Sequence, residues 1–283
     1  MDKIIKIEEL EKNIFYYLGK RFILCGEYLP HIDGWKSCGG IVGNKIDIPF
    51  SVNGEMELPS SKTQIICEGL LKIANEKIEK PLAISIKCNF KSSHYVTDPT
   101  LIDSILKKEN DDKMDSGFEK ILQKFSERKR PKILLLHPSS ETSKEDTIKS
   151  MAEYANKYLI DNRVLQYIRY TDEDISEEKE YIRDLKKYDK ECYDAICFIS
   201  GGRGDEGSAY GLLHHEQVIK TISELKTPTI GAIGHSNETH IFDFAFNRTI
   251  STPSLLGVEL AAYAKTSVPA YIPVKGIPAP NPK

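Results

Sequence analysis

The sequence predicts an α+β protein: a small β-rich N-terminal domain followed by an open α/β domain with a mainly parallel sheet. Two changes of pattern carry this reading. Residues 21–90 hold short β-type runs separated by turn-rich pieces, as in a small barrel or sandwich. From Pro131 onward, continuous apolar runs alternate with helical patterns, as in a parallel sheet covered by helices. The 283-residue length fits roughly two domains.

In chain order, Ile4, Ile7, Leu10, Ile14 and Leu18 recur at helical spacing and predict one amphipathic helix over residues 3–18. Strands are predicted over Arg21–Glu27, Ile41–Val52, Gln64–Ile73 and Leu82–Phe90, with Pro49 as an edge signal. Asn53-Gly54 suits a hairpin turn, and His31-Ile32-Asp33-Gly34 another turn. Residues 91–130 are polar and charged. Within them Thr100–Lys108 and Gly117–Lys129 read as helices around the loop Asn110-Asp111-Asp112-Lys113.

The second domain then opens with the apolar run Lys132–His137. Ile148, Met151, Ala152, Ala155 and Leu159 follow at helical spacing. Arg163–Arg169 reads as a strand and Ser176–Lys187 as a charged helix. Asp194–Ser200 and Thr229–Ile233 are further buried strands. The helix between them places Leu212, Ile219, Ile222 and Leu225 on one face. Thr252-Pro253-Ser254 is a helix start, with threonine as cap and proline in the first turn. The predicted divisions are an N-terminal domain at 1–95, a helical linker at 96–130, an α/β domain at 131–265 and a proline-rich tail at 266–283.

Charge limits the function classes. Lys and Arg total 39 against 42 Asp and Glu, a net charge of -3, so a polybasic nucleic-acid binder is excluded and any polyanion must be held by a local patch. No apolar run approaches the roughly 20 residues of a membrane span. The acidic N-terminus, with Asp2, Glu8, Glu9 and Glu11, does not read as a signal peptide. None of the six cysteines forms a CxxC pair, which argues against a disulfide framework or zinc ribbon and for a cytoplasmic setting.

In open α/β sheets, ligands bind beyond the carboxyl ends of the strands. Three predicted strands end in chemically capable residues: His137-Pro138-Ser139-Ser140, then Ser200 running into Gly201-Gly202-Arg203-Gly204, then Gly234-His235-Ser236-Asn237-Glu238. Glycines let backbone amides approach an anion, and Arg203 adds a bidentate donor. Gly201, Gly202, Arg203, Gly204 and Ser208 are therefore phosphate-binding candidates. The loop matches neither a Walker pattern nor GxGxxG. His235 titrates near neutrality and suits proton transfer or nucleophilic attack, with Glu238 as its orienting or proton partner. Asp146 completes the capping-box pattern Ser143-x-x-Asp146 at a helix start, and the fold also permits it to face the same edge. His235, Glu238 and His240 do not have HExxH spacing. In His214-His215-Glu216 successive residues face different ways, so a shared metal among those three is not expected.

Residues 194–260 resemble the catalytic core of the exodeoxyribonuclease VII large subunit family. The shared features are the strand DAICFIS, the GGRG…GS loop, the P-x-I-x-A-I-G-H segment, then Ile241, Asp243 and Phe244, and Thr252 to Ser254. Residues 132–148 are similar to the family's first catalytic strand and helix. The N-terminal half looks like its OB-fold domain, mainly through Cys25-Gly26-Glu27 and the later strand pair. The fold implied is an OB-like β-barrel followed by the α/β domain.

The resemblance implies a single-strand-specific exodeoxyribonuclease that hydrolyses phosphodiester bonds to release oligonucleotides. The family's essential positions fall on Asp146, Arg203, His235 and Glu238. An OB-like domain implies single-stranded DNA as partner, with Trp35, Lys36, Lys45 and Phe50 as candidates for stacking and backbone contacts. A divalent metal such as magnesium is compatible with this site, though the sequence does not demand one. The chain departs from the family at three places. Position 238 is Glu where Asp is usual, Asp205 and Glu206 replace loop glycines, and a proline-rich stretch follows Lys265 in place of a long helical extension. That extension carries the small-subunit contacts, so on this reading the small-subunit partner does not carry over. Alternative readings are a non-catalytic nucleic-acid or nucleotide sensor on the same scaffold, or a small-molecule phosphodiesterase.

Overall fold

The computed structural model describes residues 4–30, 39–44, 47–52, 58–73, 88–109, 116–127, 131–137, 145–150, 165–169, 178–200, 211–234 and 239–267. The chain is mixed α+β and divides into two compact units. The first is Met1–Met114 with Tyr210–Glu224 and Ser236–Ala245; the second is Asp115–Ala209 with Leu225–His235 and Phe246–Lys283. The expected turns at 31–34 and 53–54 and the loop at 110–113 lie outside the described residues.

The first unit opens differently from the single predicted helix. Ile5–Lys6 is a short strand (β1), followed by helices Ile7–Lys12 (α1) and Ile14–Tyr17 (α2). The helical spacing of the apolar residues was a fair signal, but Ile4-Ile5 is also a β-branched pair, and Ile5–Lys6 pairs in parallel with Leu24–Cys25. Asn13, at φ -132 and ψ 31, breaks the helical run.

The remaining strands of this unit are Arg21–Leu29 (β2), Gly40–Val42 (β3), Asp47–Val52 (β4), Thr63–Ile73 (β5) and Cys88–Val96 (β6). The run predicted as one strand over 41–52 is thus two, paired with each other antiparallel. The fourth predicted strand runs further than expected, through Lys91–Val96, the start of the polar and charged stretch. Pairing explains the extension, because Tyr95 and His94 face Cys67 and Glu68 of the long β5. The sheet order is β1-β2-β3-β4-β6-β5, with β4 and β6 parallel and a further antiparallel pairing of β5 with β2. Leu24, Tyr28, Ile41, Ile48, Phe50, Ile65, Cys67 and Leu71 form its buried core together with Leu10 of α1.

Pro99–Glu109 (α3) completes the N-terminal stretch and is capped by Asp98, whose Oδ1 accepts the Leu101 N–H at 3.0 Å. Lys220 donates to the other Asp98 oxygen at 2.6 Å. That ion pair and the Thr100 and Leu101 bonds hold the Asp98 carboxyl well below the usual carboxylate range.

The second unit begins with Ser116–Ser126 (α4), then Ile133–His137 (β7), a helical run at 145–150 (α5), Leu165–Arg169 (β8), Glu178–Tyr188 (α6) and Ala195–Ser200 (β9). Glu216–Glu224 (α7), preceded by a 3-10 turn at Gly211–His214, packs with the first unit. The sheet resumes at Thr229–Ile233 (β10) and Arg248–Ile250 (β11), and Pro253–Ser267 (α8) follows. The sheet order is β11-β10-β9-β7-β8, and every pairing is parallel.

Strands β7, β9 and β10 are buried almost throughout, as the continuous apolar runs required. Ile133, Leu135, Cys197, Ile199, Ile230 and Ala232 form one core with Phe118 and Ile121 of α4 and Leu256 and Leu260 of α8. Strand β11 had no sequence signal, being only three residues long. It is held by register with Ile230–Ala232 and by Asn247, whose Oδ1 accepts the Thr229 N–H at 2.8 Å. Among the described residues no helix is long and apolar enough to cross a membrane.

Candidate functional site

Parallel pairing puts all the carboxyl ends of the second sheet on one edge. Ser200 lies opposite Ile233, and the Gly234 N–H donates to the Ser200 carbonyl at 3.0 Å. Leu136 lies opposite Phe198, so β7 leaves the sheet beside β9 at buried His137. Ala232 lies opposite Ile250, so β11 exits at Ser251-Thr252. From β7 the chain goes to β8 on one side and then to β9 on the other. The order therefore reverses between β7 and β9, which is where open α/β sheets form a crevice.

Two local features shape this edge. Gly234 has φ +87°, in the left-handed region that favours glycine, so the chain turns as β10 ends and His235 begins. Thr252 caps α8, its Oγ1 accepting the Leu255 N–H at 3.1 Å. The buried Thr147 hydroxyl donates to the Pro253 carbonyl at 3.1 Å, which joins α5 to the first turn of α8.

Of the expected catalytic residues, Asp146 is half-buried in α5. Arg203, His235 and Glu238 lie outside the described residues, as do Gly201, Gly202, Gly204 and Ser208. The described strands bring the chain to the stretches 201–208 and 235–238 from adjacent positions on the sheet edge.

The expected nucleic-acid contacts fare differently. Trp35, Lys36 and Lys45 lie outside the described residues. Phe50 is a correction: it is fully buried, packed edge-on against Tyr28 at 5.6 Å and Tyr95 at 6.2 Å, and offers no face to a base. Its place in a run alternating inward and outward residues was the available signal. Among the described residues of this unit, Phe15 and Tyr16 in α2 are exposed rings, at 71% and 65% exposure, with the Lys20 ammonium 3.4 Å from the Tyr16 ring centre. An open cleft of about 740 Å³ in the same unit is lined by Lys6, Cys25, Glu27, Asn44, Lys62 and Gln64, among others.

With this geometry in place, comparison with known proteins gives two partial matches. Over 85 residues the chain is 34% identical to the exodeoxyribonuclease 7 large subunit of Campylobacter fetus subsp. fetus, covering 30% of this chain and 21% of that protein. Over 81 residues it is 38% identical to the exodeoxyribonuclease 7 large subunit of Oceanobacillus iheyensis, covering 28% of this chain and 17% of that protein. The relationship is distant. The aligned stretch spans about a fifth of the length of these curated relatives. No family model matches the chain.

Sequence reasoning missed a third group of side chains. Glu68, His94 and His214 each place a potential ligand atom within 4.8 Å of the other two. They come from β5, β6 and the 3-10 turn, so sequence spacing held no trace of them. The neighbours of His214 diverge as expected. His215 is exposed, and the Glu216 carboxylate turns away to accept the backbone N–H groups of Thr97 and Asp98.

Proposed function

We propose that this chain is a phosphodiester hydrolase of the exodeoxyribonuclease VII type, acting on single-stranded DNA. The observation that carries the reading is the in-register exit of β9 and β10, Ser200 opposite Ile233, directly before the glycine loop and Gly234-His235. It supports a shared site for residues that are far apart in sequence. In this reading Arg203 and loop amides at Gly201, Gly202 and Gly204 bind the scissile phosphate and stabilise its developing charge. His235 transfers a proton or attacks phosphorus, and Glu238 orients it. Asp146 positions the nucleophile, or a divalent cation where one is used. The partial similarity to two nuclease subunits supports the same chemistry.

The first unit reads as an OB-like module that feeds single strands. Its pairings support this: β2 with β3, β3 with β4, β4 with β6, β6 with β5, and β5 again with β2. Antiparallel pairing with one parallel step of this kind supports the OB-like reading. Exposed Phe15 and Tyr16 replace Phe50 as aromatic faces suited to base stacking.

A sensor that binds without turnover is the rival, favoured by Asp205 and Glu206 in the phosphate loop, where negative charge opposes substrate. The deciding assay is degradation of labelled single-stranded DNA by wild type and His235→Ala. Wild type releases short oligonucleotides, and the variant loses at least a hundredfold in rate. Binding without turnover in wild type establishes the sensor, and equal turnover in both proteins removes the assignment. Inhibition by mononucleotides at concentrations where oligonucleotides have no effect points to a small-molecule substrate instead.

A further inference from the structure

The cluster around Glu68 takes no part in the chemistry proposed above and lies wholly within the first unit. Glu68 and His94 face each other directly in the β5/β6 ladder, where opposed side chains on one face sit roughly 5 Å apart. The ladder shifts register between Glu68 and Gly69, and a bulge of this kind re-aims a side chain. Glu68 is 3% exposed, so its carboxylate needs strong partners. The His240 Nδ1 lies 2.8 Å from its Oε1, the Ile241 N–H donates to its Oε2 at 3.4 Å, and Arg21 lies 3.9 Å away. These contacts orient the carboxylate.

His214 stacks on His94 with ring centres 3.5 Å apart and planes 11° apart. Its Nδ1 is buried and has no hydrogen-bond partner among the described residues. Two imidazoles brought together beside a buried carboxylate make a poor hydrophobic core, and the buried, unpartnered His214 Nδ1 is costly to leave unsatisfied.

We propose that Glu68, His94 and His214 bind one divalent transition-metal ion of the zinc class. Two imidazole nitrogens and one carboxylate oxygen suit such an ion, whereas calcium and magnesium favour all-oxygen sites. Tetrahedral donors at zinc distances stand about 3.3 Å apart, so ligands within 4.8 Å close on an ion by side-chain rotation that unstacks the two rings. Three protein ligands leave the fourth position for water or a further ligand. The ion joins β5, β6 and the 3-10 turn at Gly211–His214, and so adds to the stability of the folded first unit.

The test uses the full chain, stripped with chelator, and is read without DNA, so its outcome is independent of the nuclease assignment. Zn²⁺ is titrated by calorimetry and Co²⁺ by visible absorption. The expected result is one ion per chain, a raised thermal midpoint and a cobalt spectrum of nitrogen and oxygen ligands. Glu68→Gln, His94→Gln and His214→Gln should each weaken binding at least tenfold, and exposed His215→Gln should leave it unchanged. If a ligand variant does not fold, the wild-type cobalt spectrum decides. Absence of a cobalt spectrum, a thiolate-to-cobalt band pointing to exposed Cys192, or folded ligand variants that bind as wild type does would each overturn the proposal.

Discussion

The ammonium of Lys108, near the end of α3, donates to the backbone carbonyl of Ala245 at 2.9 Å. Burial of that ammonium pushes its pKa down from 10.5 to about 8. Below pH 8 the lysine is charged in both folded and unfolded chains, and the folded chain carries the full desolvation cost. Between pH 8 and 10.5 the folded chain releases the proton first, so stability rises with pH through that window. Lys108→Met removes the titration. Wild type should therefore gain on the order of 2 kcal/mol relative to the variant between pH 7.5 and pH 10, read from urea unfolding of both proteins. A stability difference that stays flat with pH would show that the amine is not desolvated as the contact implies.

Gly231, in the middle of β10, has no room for a side chain. A Cβ there would meet the Phe246 ring at 2.3 Å, and that ring packs against Phe198 at 5.1 Å. Gly231→Ala should cost about 1–3 kcal/mol as an overpacking substitution. Pairing it with Phe246→Leu should recover part of that loss, measurable as a non-additive double-mutant cycle by thermal unfolding. Strict additivity would mean that the ring is not the obstacle.

Thr252 is the cap of α8, and the residue after it carries the carbonyl that Thr147 holds. Thr252→Ala should lower stability by about 1 kcal/mol, and Thr252→Ser should restore most of it, because the hydroxyl is the capping group. Equal losses in chemical denaturation of the two variants would remove the capping role.

Much of the second sheet was legible in the sequence because its strands are buried on both faces. Ile133–His137, Ala195–Ser200 and Thr229–Ile233 each stand out as apolar runs, and their parallel pairing fixes a common edge. The helices at Pro99–Glu109 and Glu178–Tyr188 came within a few residues of the expected bounds through their 3.6-residue spacing. Short and tertiary-dependent features were not legible. Ile5–Lys6 and Arg248–Ile250 are strands only because a neighbour pairs with them. His94 sits in a polar, charged stretch, and nothing local announces that Glu68 faces it. Phe50 carried a composition signal for base stacking, but burial against Tyr28 and Tyr95 decides its role.

Gly234 links the backbone to the proposed chemistry. Its φ of +87° costs an alanine roughly 1–2 kcal/mol, and that strain falls directly before His235. Gly234→Ala can relieve it by abandoning the turn, which moves the chain after β10 away from its neighbour at Ser200. The expected outcome is a loss of at least tenfold in single-stranded DNA hydrolysis, since displacing a catalytic group by about 1 Å costs up to ~100-fold. Because β10 is buried and paired on both sides, the sheet should survive with only that modest loss of stability. Thermal unfolding and hydrolysis measured on the same preparation separate the two effects. Full activity in a folded Gly234→Ala protein would mean that this turn does not present His235 to substrate.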